Sequence, residues 1–469
     1  MLEGLEVSEV LLSESNSVTR LDSEYFRPVL ISLQKRLEAL PHTTLGAKSR
    51  FVAGPFGSEF HVDNYDERSP YRYVRGKDVK SFFIENTDNV YLPEPDFNRL
   101  NDHSIKAGDV LISVVGTLGN SCIATERDTP AIFSCKSTVI RKPEVNPYYL
   151  VSYLNSEPGK SLLLRCARGS VQLGLNLPDL RQYLIPTFGN VLQDATERTI
   201  RAAHKSFEIA SEHLAIAEQT LLRTLGLENW QPPEPLAYTR PSRDAFAAGR
   251  LDAEHFKPKY VDLEAHIRAT SSFTTLENLL AINERGTQPD YAESGLPVIN
   301  SKHVANGEVR LNDGNRVAMA GSNAMKIKQG DVLMNGTGVG TIGRAAPFLH
   351  DAEALPDNHV TILRPQAGAI DSVYLSVYLN SLAGQYQVSK WLRGSSGQIE
   401  LYPNDIAQFL VWIAPTEVQQ AIRKAIDDAF TAKRNATRLL DAAKRAVEIA
   451  IESGEASALE FLNREITPQ

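Results

Sequence analysis

The sequence predicts an α+β fold built from two copies of one mixed α/β domain, separated by two long helices that pair antiparallel. Three observations predict it: motifs that recur more than 200 residues apart, short strand-like runs between Gly- and Pro-rich turns, and an apolar heptad seam at the end of each copy. A chain of 469 residues is also longer than one ordinary domain. Two copies of a module account for that length.

Four landmarks recur in the same order. RLDSEYF at Arg20–Phe26 returns as RLDAEHF at Arg250–Phe256. The other pairs are KAGDVLI at 106–112 with KQGDVLM at 328–334, YLVSYLNS at 149–156 with YLSVYLNS at 374–381, and the segments 168–179 with 393–405. Offsets of 222 to 230 residues far exceed the 20–50 residues of solenoid repeats. The pattern therefore indicates duplication of a whole module.

The same order of elements is predicted in both copies. Runs such as 109–115, 137–140 and 360–363 are typical of short strands, and 147–165 and 372–392 of helices. We predict a helical lead-in over 1–42, a mixed domain over 43–187, a long helix over 188–228, a linker and second lead-in over 229–271, a second mixed domain over 272–414, a second long helix over 415–453 and a tail over 454–469.

Each copy ends in a helix with an apolar seam at heptad spacing. The predicted pairing residues are Ile200, Ala203, Phe207, Ala210, Leu214, Ala217 and Leu221 in the first helix, and Ala425, Ala429, Ala432, Ala436, Leu439 and Ala443 in the second. We expect the two helices to pack on each other. The alternative is that each helix packs on its own domain.

The repeated lead-in motif is expected to be structural. Leu21 and Phe26 in the first copy, and Leu251 and Phe256 in the second, should pack on helices, and the first aspartate of each motif could cap a turn. Trp230, just after the first long helix, is also expected to pack, or to belong to a partner surface.

Composition and motifs exclude several classes. A net charge of −8 argues against a surface coated with basic patches. Three cysteines without a CxxC pair exclude a disulfide framework and a zinc ribbon. GxxxxGK[ST], HExxH and GxSxG are absent, and the Gly-rich segments 116–119 and 336–343 are interpreted as tight turns. The first residues lack the features of a signal peptide, and no apolar run could cross a membrane. We expect a soluble protein of a reducing compartment that lacks a catalytic set and a metal site.

The ordered motifs resemble one known family. They are GPFGS at 54–58, YVRGKDV at 73–79 with VINSKHV at 298–304, the GDVL strands with their Gly-Thr turns, TILRP at 361–365 and the YLxxYLNS helices. Over about residues 20–450, this pattern resembles the specificity (S) subunit of type I restriction–modification enzymes. Each motif alone is loose, but their duplicated order is specific.

The resemblance implies a non-catalytic DNA-recognition subunit of a prokaryotic, cytoplasmic phage-defence system. Its two target-recognition domains would read the halves of a bipartite, asymmetric site in double-stranded DNA. Its helices would set the distance between the halves and dock two methyltransferase (M) subunits, with or without restriction/translocase (R) subunits, away from any membrane. The chain itself would hold no cofactor. S-adenosylmethionine for adenine-N6 methylation belongs to the methyltransferase, and ATP and Mg to a motor-nuclease subunit.

Duplication and divergence together predict the geometry of reading. Paired antiparallel helices of about 35 residues, roughly 50 Å long, would relate the two domains by a pseudo-two-fold axis. That length suits major grooves that recur roughly every 34 Å along DNA. The mixed domains differ between the landmarks, for example FSCKS at 133–137 against PDNH at 356–359. We therefore predict a non-palindromic target.

Candidate DNA contacts are side chains that can donate to or accept from base edges, and cations that can bind phosphate. In the first domain they are Arg72, Arg75, Lys77, Lys136, Ser137, Arg168, Ser170 and Gln172. In the second they are Arg285, Asn300, Lys302, Asn335, Thr337, Arg344, Asn358, His359, Arg393, Ser396 and Gln398. For each of them a purely structural role is the alternative. Strand alternation would place Arg72 on the face opposite Tyr71 and Tyr73.

Two other functions remain open. One is an interaction scaffold that does not bind DNA. The other is a methyltransferase in its own right, which the missing Asn/Asp-Pro-Pro-Tyr loop opposes, because Asn146-Pro147-Tyr148 lacks the second proline. Residues 43–185 carry 17 Lys and Arg against 16 Asp and Glu. A nearly neutral reader should bind DNA weakly alone, so tight binding is expected to require partner subunits.

Overall fold

A computed structural model describes residues 7–11, 20–169, 171–305, 307–312, 314–321, 324–394 and 399–466. The chain forms two compact units. Unit 1 comprises residues 1–207 and 433–469, and unit 2 comprises residues 208–432.

Short helices precede and accompany each mixed domain, and one long helix follows each domain. In chain order they are α1 (Pro28–Glu38), α2 (Glu94–Arg99), α3 (Pro147–Asn155), α4 (Glu157–Arg165), α5 (Leu177–Gln182), α6 (Asn190–Leu225), α7 (Ser242–Ala248), α8 (Pro258–Arg268), α9 (Ser372–Asn380), α10 (Leu382–Trp391), α11 (Pro403–Ile406), α12 (Thr416–Ser453) and α13 (Glu455–Ile466). Short 3-10 helices lie at Val62–Asn64, Gly76–Asp78, Asn101–His103, Glu126–Asp128, Ala253–Phe256 and Leu276–Leu279.

The strands are short. Those of unit 1 are β1 (His42–Thr44), β2 (Arg50–Ala53), β3 (Tyr71–Val74), β4 (Tyr91–Leu92), β5 (Val110–Ser113), β6 (Ser121–Ile123), β7 (Ala131–Phe133), β8 (Ser137–Arg141) and β9 (Leu184–Pro186). Those of unit 2 are β10 (Phe273–Thr275), β11 (Leu280–Arg285), β12 (Tyr291–Ala292), β13 (Leu296–Ile299), β14 (Val304–Ala305), β15 (Glu308–Val309), β16 (Val317–Ala318), β17 (Val332–Asn335), β18 (Ala345–Pro347), β19 (Leu355–Pro356), β20 (Val360–Pro365) and β21 (Leu410–Trp412).

The main sheets of the two units have the same topology. In unit 1 the order is β2-β8-β5-β6, and in unit 2 it is β11-β20-β17-β18, with antiparallel neighbours throughout. A parallel pair recurs beside each sheet, β3 with β7 and β13 with β19. The duplication inferred from sequence motifs is therefore present in the fold, and the predicted α+β class is confirmed.

Each GDVL landmark forms the same buried ion pair. Asp109 is 2% exposed, and Arg141 from β8 binds it through Nη2 to Oδ2 at 2.6 Å. In unit 2 Asp331 is 1% exposed, and Arg364 from β20 binds it through Nε to Oδ1 at 2.7 Å. The glycine that precedes each aspartate has a positive φ, 84° at Gly108, which suits the tight turn into the strand. The landmark thus ties the start of one central strand to its neighbour.

The YLxxYLNS landmarks pack helices α3 and α9 against the last strand of their domains. The hydroxyls of Tyr149 and Tyr153 donate to the carbonyls of Pro186 and Leu184, at 2.8 and 3.0 Å. In unit 2 the corresponding tyrosines, Tyr374 and Tyr378, donate to Trp412 and Leu410, both at 2.8 Å. These rings are fully buried, and their hydroxyls are hydrogen-bonded, as burial requires.

The predicted pairing of two long helices is confirmed within each unit. In unit 1, Ile200 and Ala203 of α6 lie in one apolar cluster with Leu439 and Ala443 of α12. A hydrogen bond of 2.9 Å from Asn435 Nδ2 to Ser206 Oγ joins the same helices. Alanines at the seam let the two helices approach closely.

In unit 2 the seam is formed by the other halves of the same helices. Ala217 and Leu221 share a cluster with Ile422 and Ala425. Of the remaining pairing residues, Ala210 and Ala429 in unit 2 and Ala436 in unit 1 are buried, whereas Ala432 in unit 2 and Phe207 in unit 1 are only half-buried. The expectation for Leu214 is wrong, because this side chain is 45% exposed.

The lead-in motifs differ from expectation in one respect. Phe26 and Phe256 are half-buried, and Asp22 accepts a hydrogen bond from the Tyr25 amide at 3.1 Å, which closes a turn. Leu21 and Leu251, however, are 86% and 85% exposed, so the prediction that they pack on helices is wrong. Trp230 packs against the unit 2 core and donates from Nε1 to Asp262 at 3.1 Å.

The described residues contain no candidate for a membrane span or for a metal centre. None of the helices there combines the length and the hydrophobicity that crossing a membrane requires. Over the same ranges, no three His, Cys, Asp or Glu side chains are grouped so that they could hold a metal ion.

Candidate nucleic-acid interface

Most candidate residues converge on one end of the main sheet in each unit. In unit 1, β2 and β5 end where β8 begins, because both are antiparallel to β8, with Ala53 opposite Thr138 and Ser113 opposite Ser137. In unit 2, β11 and β17 end where β20 begins. We call these ends, with their connecting loops, reader edge 1 and reader edge 2.

Reader edge 1 is built from four loops. They are 54–58 after β2, 75–77 after β3, 114–120 after β5 and 134–136 before β8. Two glycines allow them to pack closely: a Cβ on Gly54 would lie 2.3 Å from the carbonyl carbon of Ser134, and one on Gly76 would lie 2.6 Å from Lys136 Cβ. Gly174, which is bridged to Arg168, joins them through its bridge to Val115.

Reader edge 2 repeats this design with a different sequence. A Cβ on Gly286, which follows β11, would lie 2.4 Å from the Asp357 carbonyl oxygen. A Cβ on Gly54 would approach the Ser134 carbonyl group in the same way. The Asp357 amide donates to Ile299 at 3.0 Å, and the Ser134 amide donates to Val74 at 2.9 Å. In the turn after β17, Thr337 is bridged to Glu400, which is in turn bridged to Arg393. The scaffold of both edges is therefore alike, while the side chains on it differ.

At reader edge 1 the exposed candidates are Lys77, Lys136 and Gln172. Lys77 is 58% exposed and binds Asp88 at 2.7 Å. Lys136 and Gln172 are exposed, and neither side chain forms a hydrogen bond or an ion pair within the described ranges. These residues remain candidates for DNA contact.

Arg72 is not on the surface. It is 6% exposed, and its guanidinium donates to Asn86 Oδ1 at 2.9 Å and to the Glu85 carbonyl. Burial lowers the pKa of this guanidinium. Tyr71 stacks on Phe97 and Tyr73 packs near Phe60, so both faces of β3 are covered. The expected surface role of Arg72 is corrected to an internal one.

Two further arginines of unit 1 hold loops together. Arg75 binds Asp78 through Nε at 3.1 Å and also bonds the Asp88 carbonyl. Arg168 binds Asp179 through Nε at 2.5 Å and remains 35% exposed. Ser137 is 1% exposed, which removes it from the edge surface.

At reader edge 2 the accessible candidates are Lys302, Thr337, Arg344, Asn358 and His359. Lys302 and His359 are exposed and the other three are half-buried. Thr337 Oγ1 lies 2.6 Å from His359 Nδ1, which orients the imidazole at the edge.

Two candidates of unit 2, Asn335 and Arg393, hold the edge in place, and a third, Asn300, is partly enclosed. Asn335 is fully buried and donates from Nδ2 to the carbonyls of Ser301 and Thr341, at 3.1 and 3.2 Å. Arg393 binds Asp405 at 2.6 Å and remains 47% exposed. Asn300 is half-buried, and its Oδ1 is enclosed with no hydrogen-bond donor among the described atoms. Asn335 is therefore corrected to a structural residue.

Arg285 links the end of β11 to Glu400 and Leu401 at reader edge 2. It binds Glu400 Oε2 through Nη1 at 3.0 Å, donates to the Leu401 carbonyl at 2.5 Å, and lies 5.2 Å from the centre of the Tyr402 ring. The hydrogen bond from Arg285 lowers the pKa of the Glu400 carboxyl. Burial raises the pKa of the nearby Asp357.

Sequence reasoning overlooked the apolar tips of the loops. Phe56, Val171 and Val339, in glycine-containing segments of the edges, are 70%, 100% and 82% exposed. The sequence carries a signal for them, since large apolar side chains stand in Gly-rich loops, but contacts to base edges and phosphates predict only polar residues. Ser170, Ser396 and Gln398 lie outside the described residues.

No protein-family model matches the sequence, and no curated protein matches it. Among solved structures, the chain is similar to a type I restriction-modification system S subunit from M. genitalium, with 14% identity over 92% of this chain and 97% of that one, and a TM-score of 0.37. It is also similar to the HsdS subunit from Thermoanaerobacter tengcongensis, with 15% identity, 88% and 98% coverage and a TM-score of 0.27.

Proposed function

We propose that this chain is the DNA-specificity subunit of a type I restriction–modification methyltransferase. In this role it reads a bipartite DNA target and docks methyltransferase subunits, and adenine-N6 methylation takes place on those partners. One observation carries the proposal. Each unit has its own main sheet, buried ion pair and loop scaffold of the same design, while the exposed side chains at the equivalent edges differ.

A shared scaffold with different side chains suits two readers of different sequences. Reader edge 1 offers Lys136 and Gln172, and reader edge 2 offers Lys302 and His359. An amide such as that of Gln172 can pair with adenine, whereas lysine favours guanine or phosphate. The two half-sites should therefore differ, and the methylated target should not be a palindrome.

The charges at the edges are arranged for selection rather than for strong attraction. Arg75, Arg168, Arg285 and Arg393 are each bound to a carboxylate of the chain. Phosphate neutralisation supplies most of the affinity of DNA-binding proteins, and paired cations contribute less to it. The chain alone should therefore bind DNA weakly, and the complex with its methyltransferases should bind tightly.

The decisive experiment maps N6-methyladenine across the genome of cells with and without this chain, alongside its methyltransferase. We expect one bipartite motif that disappears without the chain. Lys136→Ala with Gln172→Ala should reduce methylation or relax the sequence of one half-site only. Lys106→Ala is the matched control, because this exposed lysine precedes the opposite end of β5.

Three outcomes would contradict the proposal. Methylation that is unchanged without the chain would favour a scaffold that does not bind DNA. Methylation by the purified chain alone would favour a methyltransferase in its own right. A palindromic motif would contradict the reading of different half-sites by the two units.

A further inference from the structure

Unit 1 contains a cleft of about 560 Å³ to which α1, α4 and α5 all contribute side chains. Its charged lining consists of four arginines and one carboxylate, namely Arg20, Arg165, Arg168, Arg181 and Asp179. The volume lies within the roughly 300–1,000 Å³ of small-molecule sites. A concave surface with an excess of one charge attracts ligands of the opposite charge, so this cleft favours anions.

Two of the four arginines are neutralised within the chain. Arg20 binds Asp22 at 2.7 Å, and Arg168 binds Asp179 at 2.5 Å. A ligand would therefore meet each of these two guanidinium groups together with its carboxylate. The excess of positive charge comes from the other two arginines.

Arg165 is half-buried, and the groups that it contacts are uncharged. It donates from Nε to the Tyr25 carbonyl at 2.6 Å and from Nη1 to the Gln34 side-chain oxygen, and it lies 3.9 Å from the centre of the Tyr25 ring. Gln34 in turn donates to Glu38 at 2.8 Å, so an amide separates Arg165 from that carboxylate. Burial lowers the pKa of the Arg165 guanidinium, because its surroundings do not fully replace the lost hydration.

Arg181 is exposed, and its guanidinium lies 4.7 Å from the centre of the Phe51 ring. Neither Arg181 nor Arg165 forms an ion pair with a carboxylate in the part of the chain that the structure describes. The cleft therefore presents two guanidinium groups without a bound counter-charge.

The second copy supplies the counter-charge from within the chain. Lys390 occupies the position of Arg165 near the end of the equivalent helix, and Glu264 occupies the position of Gln34. Lys390 and Glu264 form an ion pair in which both side chains are largely buried. One cation and one amide in unit 1 thus correspond to a neutral pair in unit 2.

Two further differences remove the cleft's chemistry from the second copy. Ala407 takes the place of Arg181, and both carbonyls accept a hydrogen bond from the segment after the first strand of their domains. Trp391 takes the place of Cys166, and its large indole packs edge-on against His255 at 4.8 Å between ring centres. The open, cationic character of the site is therefore specific to unit 1.

We propose that this cleft binds the phosphate group of a small molecule no larger than a mononucleotide. Arg165 and Arg181 bind the phosphate, since guanidinium groups match phosphate oxygens with paired hydrogen bonds. A free molecule fits better than duplex DNA, because a small ligand reaches a half-buried guanidinium in a concave wall more easily than the convex backbone of a duplex does. The inference goes beyond the proposed function, which does not require such a ligand.

Isothermal titration calorimetry on the full chain tests the proposal with inorganic phosphate, AMP and adenosine. Phosphate and AMP should bind saturably at millimolar concentrations or below, at one site per chain, and should compete with each other. Adenosine lacks the phosphate and should bind roughly tenfold more weakly than AMP, or less tightly still.

Two substitutions transfer features of the second copy into the cleft. Gln34→Glu places a carboxylate beside Arg165, and Arg181→Ala removes the other cation. Each should weaken AMP binding roughly ten- to a hundredfold, the value of one charge-assisted hydrogen bond. Lys35→Gln is the matched control, because this exposed lysine lies on the same helix, does not line the cleft and changes the net charge by the same amount. It should bind AMP as the wild type does.

The other outcomes overturn the inference. They are a wild type that binds neither phosphate nor AMP, variants that both bind AMP normally, and a Lys35→Gln control that weakens binding as much as Gln34→Glu. Loss of AMP binding only together with a lower melting temperature would assign these residues a structural role instead. If Gln34→Glu and Arg181→Ala weaken the binding of duplex DNA while AMP does not bind, the phosphate belongs to the DNA backbone and the assignment to a free molecule is wrong. The methylation motif that tests the proposed function is read independently of all these results.

Discussion

Arg364→Met tests the buried ion pair on which the second main sheet depends. Asp331 is 1% exposed, and its carboxylate has three partners: Arg364 Nε at 2.7 Å, Arg364 Nη2 at 2.8 Å and the Lys328 amide at 2.8 Å. Methionine keeps most of the aliphatic length of arginine but removes both charged hydrogen bonds. The carboxylate then remains buried with one donor.

The expected cost follows from this geometry. Removing one member of a buried ion pair costs about 3–5 kcal/mol, because the remaining charge is uncompensated. Arg364 is 26% exposed, which limits solvent screening of the pair. The control Lys424→Met breaks the exposed pair with Asp428, whose side chains are 74% and 40% exposed, and should leave stability nearly unchanged, because water screens this pair.

Hydrogen–deuterium exchange measured by mass spectrometry resolves the effect locally. Amides of β17 and β20 in Arg364→Met should exchange roughly 100- to 5000-fold faster, and Lys424→Met should leave them near the wild-type rate. Adding Asp331→Asn to Arg364→Met should recover much of the protection, since no buried charge remains. Less than a tenfold change in Arg364→Met would refute the assignment of this pair as the tie between the strands.

Lowering the pH from 7.5 to 5.5 should loosen the second lead-in, because burial lowers the pKa of His255. The stabilisation from the buried, neutral His255 is complete above the ordinary histidine pKa of about 6.5 and is lost as the pH falls below it. Deuterium uptake by the second lead-in should therefore rise below that pH. His255→Tyr places at this position the residue type found at Tyr25 in the first copy, and it should abolish that rise. A rise that persists would show that His255 is not the group whose protonation loosens the lead-in. Ala217→Leu should overpack the helix seam and lower the melting temperature by about 2–12 °C, whereas Leu214→Ser should be nearly neutral in a thermal melt. Equal changes in the melting temperatures of the two variants would contradict the assignment of Ala217 to the buried helix seam and of Leu214 to the exposed side. Lys136→Ala should reduce the salt slope of DNA binding, measured by fluorescence anisotropy, by about one; an unchanged slope would remove this lysine from the interface.

The sequence predicted the duplicated fold well because duplication leaves a record that needs no tertiary information. The landmarks turned out to be the contacts that fix the scaffold, such as the Asp109–Arg141 pair and the Tyr149 hydroxyl. Prediction failed where tertiary context decides. In α6 a heptad repeat of 3.5 residues drifts against the 3.6 residues of a straight helix, and Leu214 falls on the exposed side.

The candidate site was predicted less accurately because a cation in the sequence does not reveal its partner. Arg72 belongs to a strand between two others, paired in parallel with β7, and such strands are covered on both faces. The prediction for Leu21 was wrong in the opposite direction. Its hydrophobicity predicted burial, but Leu21 is exposed and the neighbouring Arg20 is nearly buried. The alternation of apolar and polar residues in the sequence does not reveal that Arg72 is buried or that Leu21 is exposed.

The acidic balance of the chain has a structural interpretation on the proposed function. Carboxylates at the reader edges are not spread at random, because Asp179 and Asp405 bind the equivalent arginines Arg168 and Arg393 of the two edges. Such pairs hold the loops in one geometry and at the same time cancel the charge that would attract any DNA sequence. A reader whose selectivity comes from a few exposed side chains benefits from this cancellation, since weaker attraction to phosphate enlarges the relative weight of base contacts. A net charge of −8 is then compatible with DNA recognition, provided that the partner subunits supply most of the affinity.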